Sequence, residues 1–147
     1  SEEDREHLDR IFEVHLPASF AGESGTAGRS SYRSGQHEVA RAVAGALGTG
    51  ELLLVHAPTG TGKTLAYLVP ALLWARRHGV RIGIATYTRA LQQQAMDREM
   101  PRALAALSAA NVHPAPVFVR ASSSHAIFRT AENNPTRVAP PEAQHAN

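Results

Sequence analysis

Four apolar residues in a row, Leu52 to Val55, run into His56 and Ala57-Pro58-Thr59-Gly60-Thr61-Gly62-Lys63-Thr64, and then into a helical pattern. Such a run cannot alternate between core and solvent, so it suits a central parallel strand over 51–56, buried on both faces. A buried strand, a glycine-bearing turn and a Lys-Thr pair opening a helix make the P-loop layout. The order has a physical reason. Small residues let the backbone curl so that successive N–H groups face one point, and the helix start adds partial positive charge. Gly60 and Gly62 permit backbone angles that a side chain disfavours. Lys63 would reach the β- and γ-phosphates of a nucleotide, and the Thr64 hydroxyl would ligate Mg²⁺. Ala57 stands where the usual motif has its first glycine. The competing reading is a glycine-rich strand-to-helix turn with an uninvolved lysine, and the strand-before, helix-after context speaks against it.

The rest of the chain alternates in the same style. Glu2 to Val14 reads as a helix, with Leu8, Ile11 and Phe12 on one face and acidic residues at its start, and Pro17 should end it. Residues 17–31 read as a surface linker. Ser34 or Gly35 would cap a second helix, with Val39, Ala42, Val43, Ala46 and Leu47 on one face, and Gly48 and Gly50 stop it. The helix after the P-loop has Leu65, Leu68, Val69, Leu72 and Leu73 at helical spacing, with Pro70 inside it, which should cost one backbone hydrogen bond and bend the helix. Arg76, Arg77 and His78 in its last turn are best read as favourable charge at a helix C-terminus rather than as nucleic-acid contacts. Val80 to Ala85 reads as a strand. A third helix follows from Arg89, is interrupted at Pro101 and resumes over 103–110. A short strand spans 116–120. After Arg120 the pattern is lost, and the remainder reads as irregular with at most a short helix near Ile127. The order predicts an α/β fold of the P-loop NTPase type, a parallel sheet with helices on both faces.

Composition narrows the chemistry. The chain has 147 residues with 43% apolar and 19% charged side chains, a globular balance, and a net charge of +2. That mild excess is compatible with nucleic acid without requiring it. With no cysteine there is neither a disulfide framework nor a thiolate metal site, and no two of the eight histidines are three or four apart as a helical zinc pair would need. The histidines therefore read as surface residues. No apolar run reaches the roughly 18 residues of a membrane span and no signal peptide opens the chain, so a cytoplasmic location with no membrane partner is the expectation.

Three phrases in order, Arg33-Ser34-Gly35-Gln36, the P-loop extended through Tyr67-Leu68-Val69-Pro70, and Ala85-Thr86-Tyr87-Thr88-Arg89-Ala90-Leu91-Gln92-Gln93-Gln94, resemble the start of superfamily 2 helicases of the DinG/XPD type. The resemblance runs from about Tyr32 to Val119. It implies a RecA-like fold, with 1–31 an N-terminal helix and linker, 32–119 the N-terminal part of an incomplete first motor domain, and 120–147 an irregular segment where family members carry an iron–sulfur insertion. It implies ATP and Mg²⁺ as ligands, held by Ala57, Pro58, Thr59, Gly60, Thr61, Gly62, Lys63 and Thr64. Gln36 resembles the adenine-reading glutamine, and Tyr32 or Arg33 would stack on the base or steady it. Thr86, Thr88 and Arg89 resemble the residues that hold a single-strand backbone. Two plainer readings stay open: Gln36 as a polar helix-start residue, and Thr88 as an N-cap.

Two departures qualify the resemblance. The acidic box that would complete the Mg²⁺ shell is not evident, because Glu132 and Glu142 lack an apolar strand before them, and the second motor domain with its arginine finger is missing. The resemblance thus implies an ATP-dependent DNA helicase, 5′ to 3′, only as part of a complete protein with a second motor domain, and this piece alone should be inactive. No cysteine stands in 120–128, so no iron–sulfur cluster is expected here. Cluster-free branches include DinG-like helicases associated with CRISPR systems, and the chain is compatible with that branch. Two further functions compete: a nucleotide-binding module docked in a CRISPR-type ribonucleoprotein complex without being a motor by itself, and an unrelated P-loop enzyme such as a small kinase, for which no catalytic acid or lid is evident.

Overall fold

Leu65, Leu68, Val69 and Leu72 fall on one face of the helix that follows the P-loop, and that face is the centre of the protein. In the computed structural model, which describes residues 2–20, 32–113, 117–121 and 126–130, this helix is α4 (Lys63–His78), unbroken through Pro70. Around it pack α1 (Glu2–Arg10), α2 (Leu16–Phe20), α3 (Ser34–Thr49) and α6 (Met100–Ala109). Leu8, Ile11, Phe12 and Leu16 from the first helical stretch meet Ala103, Ala106 and Leu107 of α6 and the α4 leucines in one cluster. Each fully buried leucine there contributes about 1.5–3 kcal/mol relative to exposure. The core is thus helix on helix.

Both helix-ending prolines of the sequence reading are accommodated instead. A π-helical turn, Ile11–His15, joins α1 to α2, and a second, Ala95–Glu99, joins α5 (Arg89–Gln94) to α6. Pro17 and Pro101 stand two residues beyond these turns. A proline cannot donate its N–H and crowds the carbonyl four residues back. A wider turn just before it changes the bonding pattern where the α-helical ladder would conflict with the ring. The helices therefore run on through Phe20 and Ala109.

The strand expected over 51–56 is not one. The segment is exposed and has no ladder partner among the described residues. Its exposures alternate: Leu52 and Leu54 are 102% and 96% exposed, while Leu53 and Val55 are 41% and 38%. A strand buried on both faces needs neighbours on either side and layers above and below, and the described residues supply only the helices on one side.

The sheet that does form also departs from expectation. It comprises β1 (Ile82–Ile84), β2 (Val117–Ala121) and β3 (Ala126–Thr130) in the order β1-β3-β2, and both pairings are antiparallel, not parallel. In backbone register Val119 and Ile82 both pair with Phe128, and Ala121 and Ile84 both pair with Ala126. The short connection 122–125 leaves β3 only an antiparallel return on β2, because a parallel neighbour needs a long crossover. Since β1 and β2 both oppose β3, they run in the same direction as each other, as a strand–helix–strand unit would, with β3 between them. The segment read as irregular from residue 120 therefore contains a strand at 126–130, where a short helix had been the alternative. That strand ends two residues before Glu132 in the sequence; the placement of Glu132 and Glu142, like that of the linker 21–31, lies outside the described residues.

Candidate nucleotide site

The loop leading into α4 is shaped by a tight turn. The Pro58 carbonyl accepts from the Thr61 N–H at 3.4 Å and from the Thr61 hydroxyl at 2.6 Å, across the exposed Thr59. Gly60 and Gly62 have φ of +86° and +81°, the left-handed region that favours glycine. Their surroundings differ. A Cβ at Gly60 would meet open space, whereas one at Gly62 would collide with the Gln36 amide. Gly62 is also the N-cap of α4, with no side-chain cap. A helix start without a cap leaves first-turn N–H donors for an anion, in line with the helix dipole. Lys63 is exposed, and its Nζ donates to the Ala57 carbonyl at 2.7 Å, bridging the two ends of the loop.

The start of α3 grips this loop from the side. Arg33, extended at the N-cap of α3, sends Nη1 to the Gly60 carbonyl at 3.0 Å. Gln36 is 4% exposed, and its Nε2 donates to the Gly62 carbonyl at 2.8 Å. The amide has a second hydrogen and a carbonyl oxygen beyond that bond, the pair an adenine edge requires. Tyr32 is exposed, with its hydroxyl 3.1 Å from His37 Nδ1. Of the three residues read as base contacts, Arg33 and Gln36 therefore hold the loop, while Tyr32 rests on His37 of α3.

A cleft of about 750 Å³ opens between α3, the segment 51–55, the first turns of α4 and residues 85–94. Lys63, Thr64 and Thr86 line it together with Tyr87, Val39, Val43, Leu53 and Val55, while Tyr32, Arg33 and Gln36 do not. The Thr86 hydroxyl donates to the Thr88 carbonyl at 3.3 Å, and the Thr88 hydroxyl accepts from the Leu91 N–H at 3.2 Å. Thr88 is therefore the N-cap of α5, an arrangement that needs no ligand. Arg89, the first residue of that helix, is exposed.

Mg²⁺ at a P-loop needs one hydroxyl and the substrate's own phosphates rather than a cage of carboxylates. Thr64, half-buried in the first turn of α4 beside Lys63, fits that demand. Among the described residues no group of three or more histidines and carboxylates could hold a metal by itself.

One residue escaped the sequence reading. His37, taken with the other histidines as a surface residue, is 2% exposed and bonds through Nε2 to Asp9 Oδ1 at 2.7 Å. Arg41 Nε reaches the same oxygen at 2.7 Å. Asp9 is held below the ordinary carboxylate value, most of all by the Arg41 hydrogen bond, with partial burial opposing and the His37 bond adding to the effect. The partners are 28 residues apart in sequence, so no spacing rule announces them. The helical face of Leu8, Ile11 and Phe12 was the available signal.

The family described as DEAD/DEAH box helicase matches residues 33–120, which hold α3, the loop, α4, β1, α5 and α6. The chain belongs to the DEAD/DEAH box helicase family. Its relatives include the ATP-dependent helicase DinG of Mycobacterium tuberculosis, 50% identical over 76 residues, and the ATP-dependent DNA helicase YoaA of Escherichia coli, 44% identical over 75. The 3'-5' exonuclease DinG of Bacillus subtilis is 42% identical over 69 residues. These alignments cover 52%, 51% and 47% of this chain but only 11%, 11% and 7% of the relatives, so the chain spans about a tenth of their length. No solved structure matches it. DEAD/DEAH membership carries the RecA-like P-loop fold and an ATP site, and the DinG relatives carry the resemblance read from the three phrases. Among the described residues no helix is long and apolar enough to cross a membrane.

Proposed function

We propose that this chain is the ATP-binding front part of the first motor domain of a DinG-like, ATP-dependent DNA helicase, with 32–119 as the motor-domain segment. The observation that carries the reading is the grip of α3 on the P-loop. Arg33 and Gln36 hold the Gly60 and Gly62 carbonyls beside Lys63 and Thr64, so a base contacted by Gln36 and phosphates contacted by Lys63 would belong to one nucleotide. The loop from Ala57 to Thr64 cradles the phosphates with backbone N–H groups, and Lys63 exchanges the Ala57 carbonyl for the β- and γ-phosphates. Mg²⁺, when bound, neutralises charge developing on the transferred phosphoryl group. Thr86, Thr88 and Arg89 present hydroxyls, a helix start and a cation to a single-strand backbone.

The outward leucines support the same reading. Leu52 and Leu54 stand in solvent beside an apolar cleft, as expected of a strand whose neighbours in a parallel sheet come from the rest of the motor domain. Closure of a second motor domain over ATP would then step the protein along single-stranded DNA, 5′ to 3′ by resemblance. Any iron–sulfur ligand would have to come from outside these cysteine-free residues. None of the relatives named above speaks for the ribonucleoprotein-docking alternative.

The test is strand displacement by the full-length protein on duplexes with a 5′ or a 3′ single-stranded tail. ATP-dependent unwinding of the 5′-tailed duplex supports the reading in full. Nucleotide hydrolysis with no DNA stimulation and no unwinding of either duplex overturns the motor function.

A further inference from the structure

The match to the DEAD/DEAH family opens at Arg33, yet the residues that fix the start of α3 come from before it. His37 sits at the centre of the contact. Its ring lies flat on Phe12, with centroids 5.5 Å apart and planes 7° apart, and Tyr32 meets it edge-on at 5.9 Å. Nε2 lies on Asp9 of α1, and Nδ1 lies on the Tyr32 hydroxyl. An ionised carboxylate only accepts, so Nε2 carries the hydrogen of the Asp9 bond, while the Tyr32 hydroxyl can give or take the hydrogen at Nδ1. One buried imidazole therefore ties α1, the following π turn and Tyr32, two residues before the start of α3.

A second contact between the same two segments is independent of His37. Phe20, the last residue of α2, has the Arg33 guanidinium 5.8 Å and the Arg102 guanidinium 4.1 Å from its ring centroid. The backbone closes the set, because the His37 N–H donates to the Arg33 carbonyl at 3.1 Å. Tyr32, Arg33 and Gln36 are thus each one step from the Glu2–Phe20 stretch, through a hydroxyl, a ring face and the shared first turn.

We propose that His37 is a positioning residue for the nucleotide base: it locks Tyr32 and the first turn of α3 against the N-terminal helical stretch, so that Tyr32 and Gln36 are already in place when adenine arrives. The inference rests on reading Gln36 and Tyr32 as base contacts. A side chain ordered before binding costs less to order on binding, so the lock acts on nucleotide affinity and base choice. Neither Lys63 nor Thr64 bonds to His37, whose links run to Asp9 and Tyr32, so the phosphate chemistry they serve does not pass through it. A merely structural role would instead lower the yield of folded protein and weaken every nucleotide alike.

The test uses the DNA-dependent ATPase of the full-length protein with ATP and GTP as competing substrates. His37→Phe keeps the flat contact with Phe12 and removes the polar links to Asp9 and Tyr32, together with the longer 3.9 Å approach of Glu13 Oε1 to Nδ1. It should raise KM for ATP about fivefold to tenfold, the scale of one net hydrogen bond, with kcat within about twofold and KM for GTP nearly unchanged. Tyr32→Phe, which removes only the hydroxyl bonded to His37 and keeps the ring, should shift the ATP/GTP ratio in the same direction by a smaller factor. His37→Gln, which keeps one amide donor and loses the ring that stacks on Phe12 and links Asp9 to Tyr32, should shift the ratio in the same direction. The proposal is overturned if Tyr32→Phe and His37→Phe keep the wild-type ATP/GTP ratio while Gln36→Ala loses it. It is equally overturned if His37→Phe weakens both nucleotides alike. If Gln36→Ala itself keeps full adenine preference, the base-contact reading fails, and the positioning role falls with it.

Discussion

Gly62→Ala separates the two demands that the loop places on its glycines. At φ +81° an L-residue costs about 1–2 kcal/mol. The new Cβ must also expel the Gln36 amide, breaking its bond to the Gly62 carbonyl, a further net loss of about 1 kcal/mol. An empty loop that relaxes to escape this sum of about 2–3 kcal/mol must regain the shape on binding, so nucleotide binding is weakened by at most roughly 30-fold to 150-fold. Gly60→Ala is the control, since φ is +86° but nothing lies within reach of its Cβ. Strain alone should weaken binding there by roughly 5-fold to 30-fold. The decisive comparison is with Gln36→Ala. Gly62→Ala already displaces Gln36, so the two should fail to add, whereas Gly60→Ala and Gln36→Ala should add within about 0.5 kcal/mol. Equilibrium titration of the full-length protein with fluorescent ATP and GTP analogues reads both affinity and base choice. Gly62→Ala should lose the ATP preference and Gly60→Ala should keep it. A Gly62→Ala variant with wild-type base preference, or with an effect that adds fully to Gln36→Ala, would refute the reasoning.

Three other outcomes follow from particular contacts. Thr88→Ala removes the observed cap of α5 and should cost about 1 kcal/mol of stability by chemical unfolding; a DNA role would show as weaker single-strand binding in Thr88→Ala than in a variant equally destabilised elsewhere. Asp9 is held below its ordinary value of 3.8, so its stabilising effect is fully present above that pH and lost as pH falls through the depressed folded value. Asp9→Asn should therefore lower stability at neutral pH and flatten the acid limb of urea unfolding measured from about pH 2 to 7, and an unchanged limb would remove Asp9 from the account. Leu54→Ala should cost the full-length protein about 2–5 kcal/mol if further strands cover the segment 51–55, and under about 0.5 kcal/mol if Leu54 stays in solvent.

What could be read from sequence was what local physics decides. The leucine spacing in α4, the turn glycines before Lys63 and the start of α3 near Ser34 each follow from residues a turn or two apart, and the structure has them at those places. The segment 51–56 was misread because burial on two faces is a property of its neighbours, which the four apolar residues cannot supply themselves. β3 was missed because Ala126 to Thr130 alternates weakly, and its strand character comes from pairing with both β1 and β2. Pro17 and Pro101 looked like stops because the rule for them assumes α-helical bonding, which the preceding π turns abandon. His37 was unreadable for a related reason. Its partners Asp9, Phe12 and Tyr32 converge only after α1 has packed on α3. In the candidate site, the motif residues Gly60 to Thr64 were legible, but the grip of Arg33 and Gln36 on the glycine carbonyls was not.

The central claim is that the loop from Ala57 to Thr64 holds the phosphates of ATP through Lys63, and steady-state phosphate release by the full-length protein with single-stranded DNA tests it most directly. Lys63→Ala removes the charge placed at the β- and γ-phosphates while leaving the Pro58–Thr61 turn and both glycines intact. Wild-type protein should hydrolyse ATP, and Lys63→Ala, folded and purified in the same way, should not. Turnover at the wild-type rate by Lys63→Ala would contradict the claim.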